Sequence, residues 1–262
     1  MSPSHRGSPD VTAVIAAHDE SANIEACISS VDWAREVIVV ENDSTDDTAD
    51  LARAAGATLI NPPFTTIGAA RNNAIVRAQT GWIFVLDADE RCTPELAAEI
   101  RTLVAEPGQM AAFRIPRRNF FLGKEIRHGG WGSDKPIRLF RRELRYNASM
   151  VHEHVDVAGD AVGEASNKLL HYTYVSLSQY FEKFNRYSRW WAEQNFAKGR
   201  RASAGAILFR PPARFFSMYV LKGGFLDGAR GLVLASLAAA SVMAKYARLW
   251  EKSFARRDAG AR

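Results

Sequence analysis

Two aspartates, Asp87 and Asp89, follow an apolar run over residues 82–86 that predicts a buried strand. Side chains alternate along a strand, so the two carboxylates are expected to point the same way, with the small Ala88 between them. Two like charges held this close require a compensating cation. Carboxylate oxygens suit Mg²⁺ or Mn²⁺, and such metals commonly bind substrate phosphates. The segment therefore indicates a metal–phosphate site, the alternative being a solvated acidic turn.

Acidic residues also follow two other predicted strands, at residues 11–17 and 37–40. The first strand leads into Glu20, and the second leads into Glu41 and Asp43. Helical segments alternate with these strands, which predicts an α/β fold with a doubly wound, mostly parallel sheet. Ligands of such sheets bind beyond the carboxyl ends of the strands, so we expect all three acidic loops to lie on one rim.

The helix boundaries carry recognisable signals. Ser21 is predicted to cap the first helix, and Thr93 with Pro94 is predicted to begin the helix after the acidic pair. We divide the chain into a disordered lead-in (1–10), a catalytic domain (11–175), a helical extension (176–252) and a basic tail (253–262). Within the catalytic domain, residues 11–111 form the nucleotide-binding half and 112–175 the acceptor half.

The 262 residues suffice for one large globular domain, or for one domain with a small appendage. The net charge of +5 favours an anionic partner. The N-terminus has no apolar core typical of a signal peptide, and the two cysteines have no metal-ligand spacing, which indicates ordinary thiols in a reducing compartment.

The order of the motifs resembles that of the family-2 glycosyltransferases with the GT-A fold. The matching strings are His-Asp-Glu after the first strand, Val-Val-Glu-Asn-Asp-Ser-Thr-Asp, Gly-Ala-Ala-Arg-Asn and Leu-Asp-Ala-Asp-Glu. The later strings Gly-Trp-Gly-Ser-Asp, Arg-Leu-Phe-Arg-Arg and Val-His-Glu are similar to the branch that includes lipopolysaccharide-core β-1,4-glucosyltransferases. The resemblance covers residues 11–252. It rests on the order and spacing of the motifs, since none is specific alone.

The resemblance implies inverting transfer of a hexose from a nucleotide-diphosphate donor, a UDP-sugar, with Mn²⁺ or Mg²⁺ as cofactor. It makes Asp89 the direct metal ligand and lets Asp87 contact the ribose, or the metal through water. It assigns the base and ribose of the donor to Glu20, Glu41 and Asp43, and the phosphates to Arg71 and Asn72. The family more often has Asp where Glu41 stands, which leaves the donor's identity open. The alternative for Arg71 is a surface helix residue.

Inversion requires a base that deprotonates the acceptor hydroxyl on the face opposite the leaving group. Asp134 follows a Gly-rich loop where the fold commonly places its base, whereas Glu153 lies in a charged His-Glu-His insert. Asp134 is slightly favoured, with His152 then a ligand of the metal or diphosphate. The reverse assignment, with Glu153 as the base, is almost equally supported.

Three aromatic or histidine positions have competing interpretations. Trp131, between two glycines, either stacks on an acceptor sugar or anchors a hairpin. His154 and His171 are predicted to be structural residues.

The C-terminal region combines aromatic and basic residues at 209–216 with an apolar stretch at 231–244. That stretch is shorter than the about 20 residues that a spanning helix needs. We expect helices that lie on an anionic membrane surface, or pack on the core, in a cytoplasmic enzyme peripheral to the inner face of the membrane. The expected acceptor is a lipid-linked or lipopolysaccharide-core saccharide, and no nucleic-acid partner is expected.

Two other functions compete with the transferase. A sugar-phosphate nucleotidyltransferase would need a loop rich in Gly and Arg after the first strand, and residues 17–20 are Ala-His-Asp-Glu instead. A non-catalytic membrane-binding module on the same fold would be expected to lose the metal carboxylates, and both Asp87 and Asp89 are present.

Overall fold

The computed structural model describes residues 8–63, 65–147, 153–157 and 159–259, in two compact units. The first unit comprises Met1–Arg118 and Asp134–His171, and the second comprises Asn119–Ser133 and Tyr172–Arg262. The domain prediction placed residues 119–133 in the catalytic domain. In the structure they belong to the same compact unit as the C-terminal helices, and Phe121 and Ile126 share an apolar cluster with Leu234.

Strands and helices alternate through the first part of the chain, as predicted. The elements are β1 (Val11–Ala17), α1 (Ile24–Ser29), β2 (Glu36–Glu41), α2 (Thr48–Ala54), β3 (Thr58–Ile60), α3 (Ile67–Arg77), β4 (Trp82–Asp87), β5 (Glu90–Arg91) and α4 (Pro94–Ala105). There follow β6 (Met110–Arg114), β7 (Arg117–Phe121), β8 (Lys124–Ile126), β9 (Ile137–Arg141), β10 (Arg145–Tyr146), β11 (Val155–Asp156), β12 (Ala161–Glu164) and β13 (Leu169–Tyr174).

The main sheet of the first unit has the strand order β12-β6-β9-β4-β1-β2-β3. Strand β1 runs parallel to both β2 and β4, with Ala17 opposite Glu41 and Ala16 opposite Asp87. Strand β9 is antiparallel to its neighbours β4 and β6. The prediction of a mostly parallel sheet is confirmed, and the register brings the acidic ends of β2 and β4 to one edge.

Alternate residues of the central strands face two helix layers. Ile15, Phe84 and Leu86 belong to the apolar cluster that includes α1 and α4, whereas Val14 and Val85 belong to the cluster on α3. All five side chains are fully buried. Because both faces of the sheet are covered, these strands read as continuous apolar runs in the sequence.

One of the two predicted helix caps is correct. Thr93 is the N-cap of α4 and accepts a hydrogen bond from the Leu96 amide at 3.2 Å, and Pro94 begins the helix. The prediction for Ser21 was wrong: α1 begins later, with Asn23 at its N-cap. The Ser21 amide instead donates to Asp46 at 3.0 Å, so this residue joins two loops rather than capping a helix.

The second unit is mainly helical in its described residues. Its helices are α5 (Leu177–Ala197), α6 (Ala204–Phe216) and α7 (Gly228–Ala259), with a π-helical turn (Ser217–Leu221) and a 3₁₀ turn (Gly224–Asp227) between the last two. Helix α7 packs against α5 and α6. The helical stretch Gly224–Phe254 is long and apolar enough to cross a membrane by length and composition alone, whereas the sequence pattern indicated a shorter apolar segment.

The core position Phe84 provides a test of this packing. Phe84→Ala leaves a cavity beside Trp33, whose ring centroid lies 6.0 Å away, so we expect the free energy of unfolding to fall by about 3–5 kcal/mol. Val76→Ala, at a position that is 68% exposed, should change it by less than about 0.5 kcal/mol. Urea denaturation of both variants measures the difference, and equal effects would contradict the buried placement of Phe84.

Candidate active site

The loops after β1 and β2 are joined by hydrogen bonds into one rim. The Thr45 amide donates to the Asp19 carboxylate at 2.7 Å, and the Glu20 amide donates to the Thr48 hydroxyl at 2.8 Å. Burial acts to raise the pKa of Asp46, but hydrogen bonds from Thr48 and Ser21 lower it to about 2. The rim is therefore ordered by its own polar contacts.

The three predicted base and ribose residues lie on this rim. The Glu41 carboxylate accepts hydrogen bonds from the amides of Asp43 and Ser44, and Glu41 is buried. Asp43 has a positive φ of 53° and accepts from the Asn61 amide group at 3.0 Å. Glu20 accepts from the Asn23 side chain at 2.7 Å. Glu41 thus shapes the loop that presents Asp43, and its contact with a nucleotide stays a prediction.

Asp87, at the carboxyl end of β4, is held between two arginines. One carboxylate oxygen accepts from Arg71, and the other accepts from Nη2 of Arg138 at 2.6 Å. Burial acts to raise the pKa of Asp87, but the guanidinium groups of Arg138 and Arg71 outweigh it and hold the pKa well below its usual range. Asp87 is therefore ionised and fixed in orientation.

Glu90, in β5, forms further ion pairs next to Asp87. Its fully buried carboxylate accepts from Arg138 at 2.7 Å and from Arg117 at 2.9 Å, and it also accepts from the backbone amide of Asp87 at 3.0 Å. A buried carboxylate is costly unless it is paired and hydrogen-bonded, and Glu90 meets both conditions.

The two candidate bases terminate the same set of ion pairs. Arg71 also donates to Glu153 at 3.3 Å, and Arg117 also donates to Asp134. Positive and negative groups therefore alternate without a break; we name this set the ion-pair chain, and its members in order are Glu153, Arg71, Asp87, Arg138, Glu90, Arg117 and Asp134.

Helix α3 is anchored at Tyr146 of β10. Asn72 donates to the Tyr146 carbonyl and accepts from its amide, both at 2.9 Å. The Arg71 guanidinium carbon lies 5.1 Å from the Tyr146 ring centroid. At Gly68, an added Cβ would lie 3.2 Å from the Tyr146 Cβ and 3.4 Å from that of Glu153, which favours glycine here. Arg71 and Asn72 thus have intramolecular partners, and their contacts with donor phosphate stay predictions.

Asp89 lies in the turn after β4, beside a histidine whose charge also acts on Asp87. Strand β4 ends at Asp87, so strand alternation does not extend to Asp89. Asp89 is buried, and its Oδ1 lies 3.6 Å from Nε2 of His171. Strand β13 pairs antiparallel with β5 and sets His171 opposite Glu90. His171, interpreted from the sequence as structural, therefore lies beside the predicted metal ligand.

The donor set of Asp89 and His171 fits a divalent cation. A carboxylate oxygen and an imidazole nitrogen are both ligands for Mn²⁺, and the two atoms are close enough to share one ion. Across the described part of the chain, no group of three or more His, Cys, Asp or Glu side chains is arranged to hold a metal. His152, the predicted ligand, lies outside the described residues.

Trp131 belongs to the second unit. Its carbonyl accepts from the Asn119 side chain at 2.5 Å, and its side chain packs on the cluster around Phe121 and Leu234. An added Cβ at Gly132 would meet the Arg127 carbonyl oxygen at 2.1 Å, so this glycine permits a close backbone contact. These contacts agree with the anchoring interpretation, and a role in stacking on a sugar stays a prediction.

Arg138, Arg117 and Glu90 were not predicted from the sequence. A signal for Arg138 was present, because it is a charged residue in the apolar strand β9 and shares a strand face with Phe140. A buried arginine requires a carboxylate partner, but no local pattern indicates which one.

Comparisons with known proteins agree with one another. The model of the family described as "Glycosyl transferase family 2" matches residues 12–163. The lipopolysaccharide core biosynthesis glycosyltransferase LpsC of Rhizobium meliloti (strain 1021) is 28% identical over 90% of this chain and 93% of its own length. An uncharacterized glycosyltransferase of Rickettsia bellii (strain RML369-C) is 27% identical over 93% of this chain and 87% of its own.

Among solved structures, a mycobacterial protein has a TM-score of 0.48 at 17% identity, covering 64% of this chain and 68% of its own. Glucosyl-3-phosphoglycerate synthase from Mycobacterium tuberculosis, solved with Mn²⁺, UDP and phosphoglyceric acid, has a TM-score of 0.37 at 23% identity, covering 43% of this chain and 44% of its own.

Arg138→Met tests the ion-pair chain, because it leaves the carboxylates of Asp87 and Glu90 without their shared partner. We expect the free energy of unfolding at pH 7 to fall by about 3–5 kcal/mol. The pKa of Asp87 is lowered by folding, so its stabilisation is present above the unfolded value near pH 4 and is lost as the pH falls further. The difference in the free energy of unfolding between the variant and the parent should therefore become smaller below about pH 4.

Thermal unfolding from pH 3 to pH 8 measures this difference, with Arg114→Met on the exposed face of β6 as the control. A constant difference across the pH range would contradict the ion-pair assignment.

Proposed function

Because this chain belongs to glycosyl transferase family 2 and has the GT-A fold, we propose that it transfers a hexose from a UDP-sugar to a lipopolysaccharide-core or other lipid-linked saccharide, with inversion. One observation carries the proposal: the Asp89–His171 pair adjoins an ion-pair chain that ends in two carboxylates. A relative named for lipopolysaccharide core biosynthesis, matched over most of both chains, supports this acceptor class.

The charges at this edge of the sheet support a cation–diphosphate ligand. The ion-pair chain has four carboxylates and three guanidinium groups, and Asp89 adds another carboxylate. Asp89 and His171 would hold Mn²⁺ or Mg²⁺, which when bound supplies positive charge to the diphosphate leaving group. Glu20, Glu41 and Asp43 form the rim proposed for the nucleoside.

Arg71 and Arg138 hold Asp87 ionised, so that its carboxylate keeps a fixed position for the ribose. This role agrees with the roles predicted for the two aspartates, in which Asp87 supports the nucleotide and Asp89 binds the metal. Preorganised charge of this kind avoids rearrangement during the reaction.

Asp134 is proposed as the base. Its side chain is 39% exposed, against 19% for Glu153, and a base must reach the hydroxyl of an incoming acceptor. Arg117 bonds to both Asp134 and Glu90, which fixes the position of the Asp134 carboxylate. The carboxylate takes the proton of the acceptor hydroxyl while the hydroxyl oxygen attacks the anomeric carbon on the face opposite the diphosphate. The bond from the anomeric carbon to the diphosphate oxygen breaks, and UDP leaves with its electron pair.

The proposed acceptor class implies that the enzyme contacts a membrane. A lipid-linked acceptor lies at a bilayer surface, so the enzyme would act at the cytoplasmic face of the inner membrane and contact its anionic headgroups. Trp131 is proposed as an acceptor contact, supported by its position in a glycine-flanked turn and its partly exposed ring.

Two variants test the metal pair. Asp89→Asn and His171→Ala should each lower Mn²⁺-dependent UDP release from UDP-glucose by at least about 100-fold, because each removes one proposed ligand of the metal. Calorimetric titration of Mn²⁺ in the presence of UDP should show weakened binding in both. Asp50→Asn, at an exposed residue of α2, serves as the control. Unchanged Mn²⁺ affinity in both variants would refute this site.

A second pair of variants tests the base. Asp134→Asn should lower sugar transfer by about 10²–10⁴-fold and leave UDP binding within a few-fold of the parent, because a base acts on the acceptor and not on the donor. Glu153→Gln should retain more transfer than Asp134→Asn. Single-turnover transfer and UDP titration measure both effects. The opposite ranking would assign the base to Glu153.

A further inference from the structure

The second unit has an exposed apolar surface where α6 turns towards α7. We name residues 208–226 the apex. Seven of its apolar side chains are between 43% and 70% exposed: Leu208, Phe209, Phe216, Val220, Leu221, Phe225 and Leu226. Phe209 and Phe216 lie seven residues apart, nearly two helical turns, so α6 presents them on one face. Such a concentration of exposed apolar groups marks an interaction surface rather than ordinary surface scatter.

The exposed charges around the apex have one sign. Between Glu193 and Glu251 the sequence contains one acidic residue, Asp227, and nine basic residues: Lys198, Arg200, Arg201, Arg210, Arg214, Lys222, Arg230, Lys245 and Arg248. Asp227 is buried and accepts from the His128 amide at 2.9 Å, so it is turned towards the protein. Arg210, Arg214 and Lys222 of the apex are exposed.

Three of these cations lie where α6 packs on α7. The Arg210 guanidinium carbon is 4.8 Å from the ring centroid of Tyr246. Burial lowers the pKa of Lys245, and the neighbouring charge of Arg214 lowers it further. The like charges of Arg214 and Lys245, brought together in this way, are stabilised by an anion.

We infer that the apex is a membrane-docking element. Its exposed Phe and Leu side chains enter the interfacial region of an anionic bilayer, and Arg210, Arg214 and Lys222 bind lipid phosphates. An apolar face bordered by cations is the composition of helices that lie in a membrane interface. This inference deepens the membrane partner of the proposed function and rests on it for the choice of a lipid, rather than a protein, as occupant.

Vesicle co-sedimentation of the full chain tests the charge contribution. The parent should bind phosphatidylcholine vesicles that contain phosphatidylglycerol far better than phosphatidylcholine alone, and added salt should weaken binding. Replacing Arg210, Arg214 and Lys222 together with Gln should lower the partition coefficient by about 100-fold, at about fivefold per cation. The matched control replaces Arg53, Arg77 and Arg101, exposed cations of the first unit, and should leave binding within about twofold.

A second pair of variants tests the apolar contribution. Leu221→Ser with Phe225→Ser should lower partitioning by more than about tenfold at any salt concentration, because less apolar surface leaves water. Val76→Ser, at an equally exposed position of the first unit, should have no effect. Both apex variants should release UDP from UDP-glucose at the parent rate in vesicle-free solution.

Several outcomes would overturn the inference. These are absence of binding to anionic vesicles at low salt, equal loss in the control variants, or concentration-dependent self-association through the apex without lipid. Retention in native membranes after alkaline carbonate extraction would instead assign α7 as a spanning helix. Vesicle binding without UDP release would refute the transferase proposal and support the membrane-docking role of the apex. UDP release without vesicle binding would support the transferase proposal and refute the membrane-docking role.

Discussion

The alternating ion-pair chain is the interaction on which the arrangement of the site depends. It joins residues of α3, β4, β5, β7 and β9, and its outer members are Glu153 and Asp134. Arg71, Arg138 and Glu90 are buried, and groups of this kind are costly to remove from water. Each of them lies between partners of opposite charge. The loss of one member therefore leaves its neighbours buried with fewer compensating charges, and their desolvation then destabilises the fold. The elements that supply the members are therefore held in one arrangement.

This constraint explains why the two aspartates of one short motif differ. Asp87 is occupied by Arg71 and Arg138 and gains a lowered pKa, whereas Asp89 lies after the end of the strand and meets His171. The antiparallel pairing of β13 with β5 places that histidine. A fixed anionic frame beside a carboxylate–imidazole pair is suited to a ligand that combines a divalent cation with a diphosphate.

The architecture was largely predictable because its signals are local. Apolar runs predicted the central strands, and the Thr93–Pro94 signal correctly predicted the start of α4. The edge of the sheet that carries the acidic loops followed from the topology rule for parallel strands. The Ser21 prediction failed because α1 begins later, after Asn23, and the Ser21 backbone amide bonds to Asp46 of the neighbouring loop.

The sequence by itself determined the family, the parallel sheet and the presence of carboxylates at the ends of β2 and β4, because strand periodicity and motif order are properties of short segments. Only the tertiary structure decided which charges pair. Arg71 meets Glu153 across 82 residues, and Arg138 meets Asp87 across 51. The tertiary structure likewise places His171 beside Asp89 and groups residues 119–133 with the C-terminal helices. Such pairings depend on distances created by folding, and no local pattern of residues encodes them.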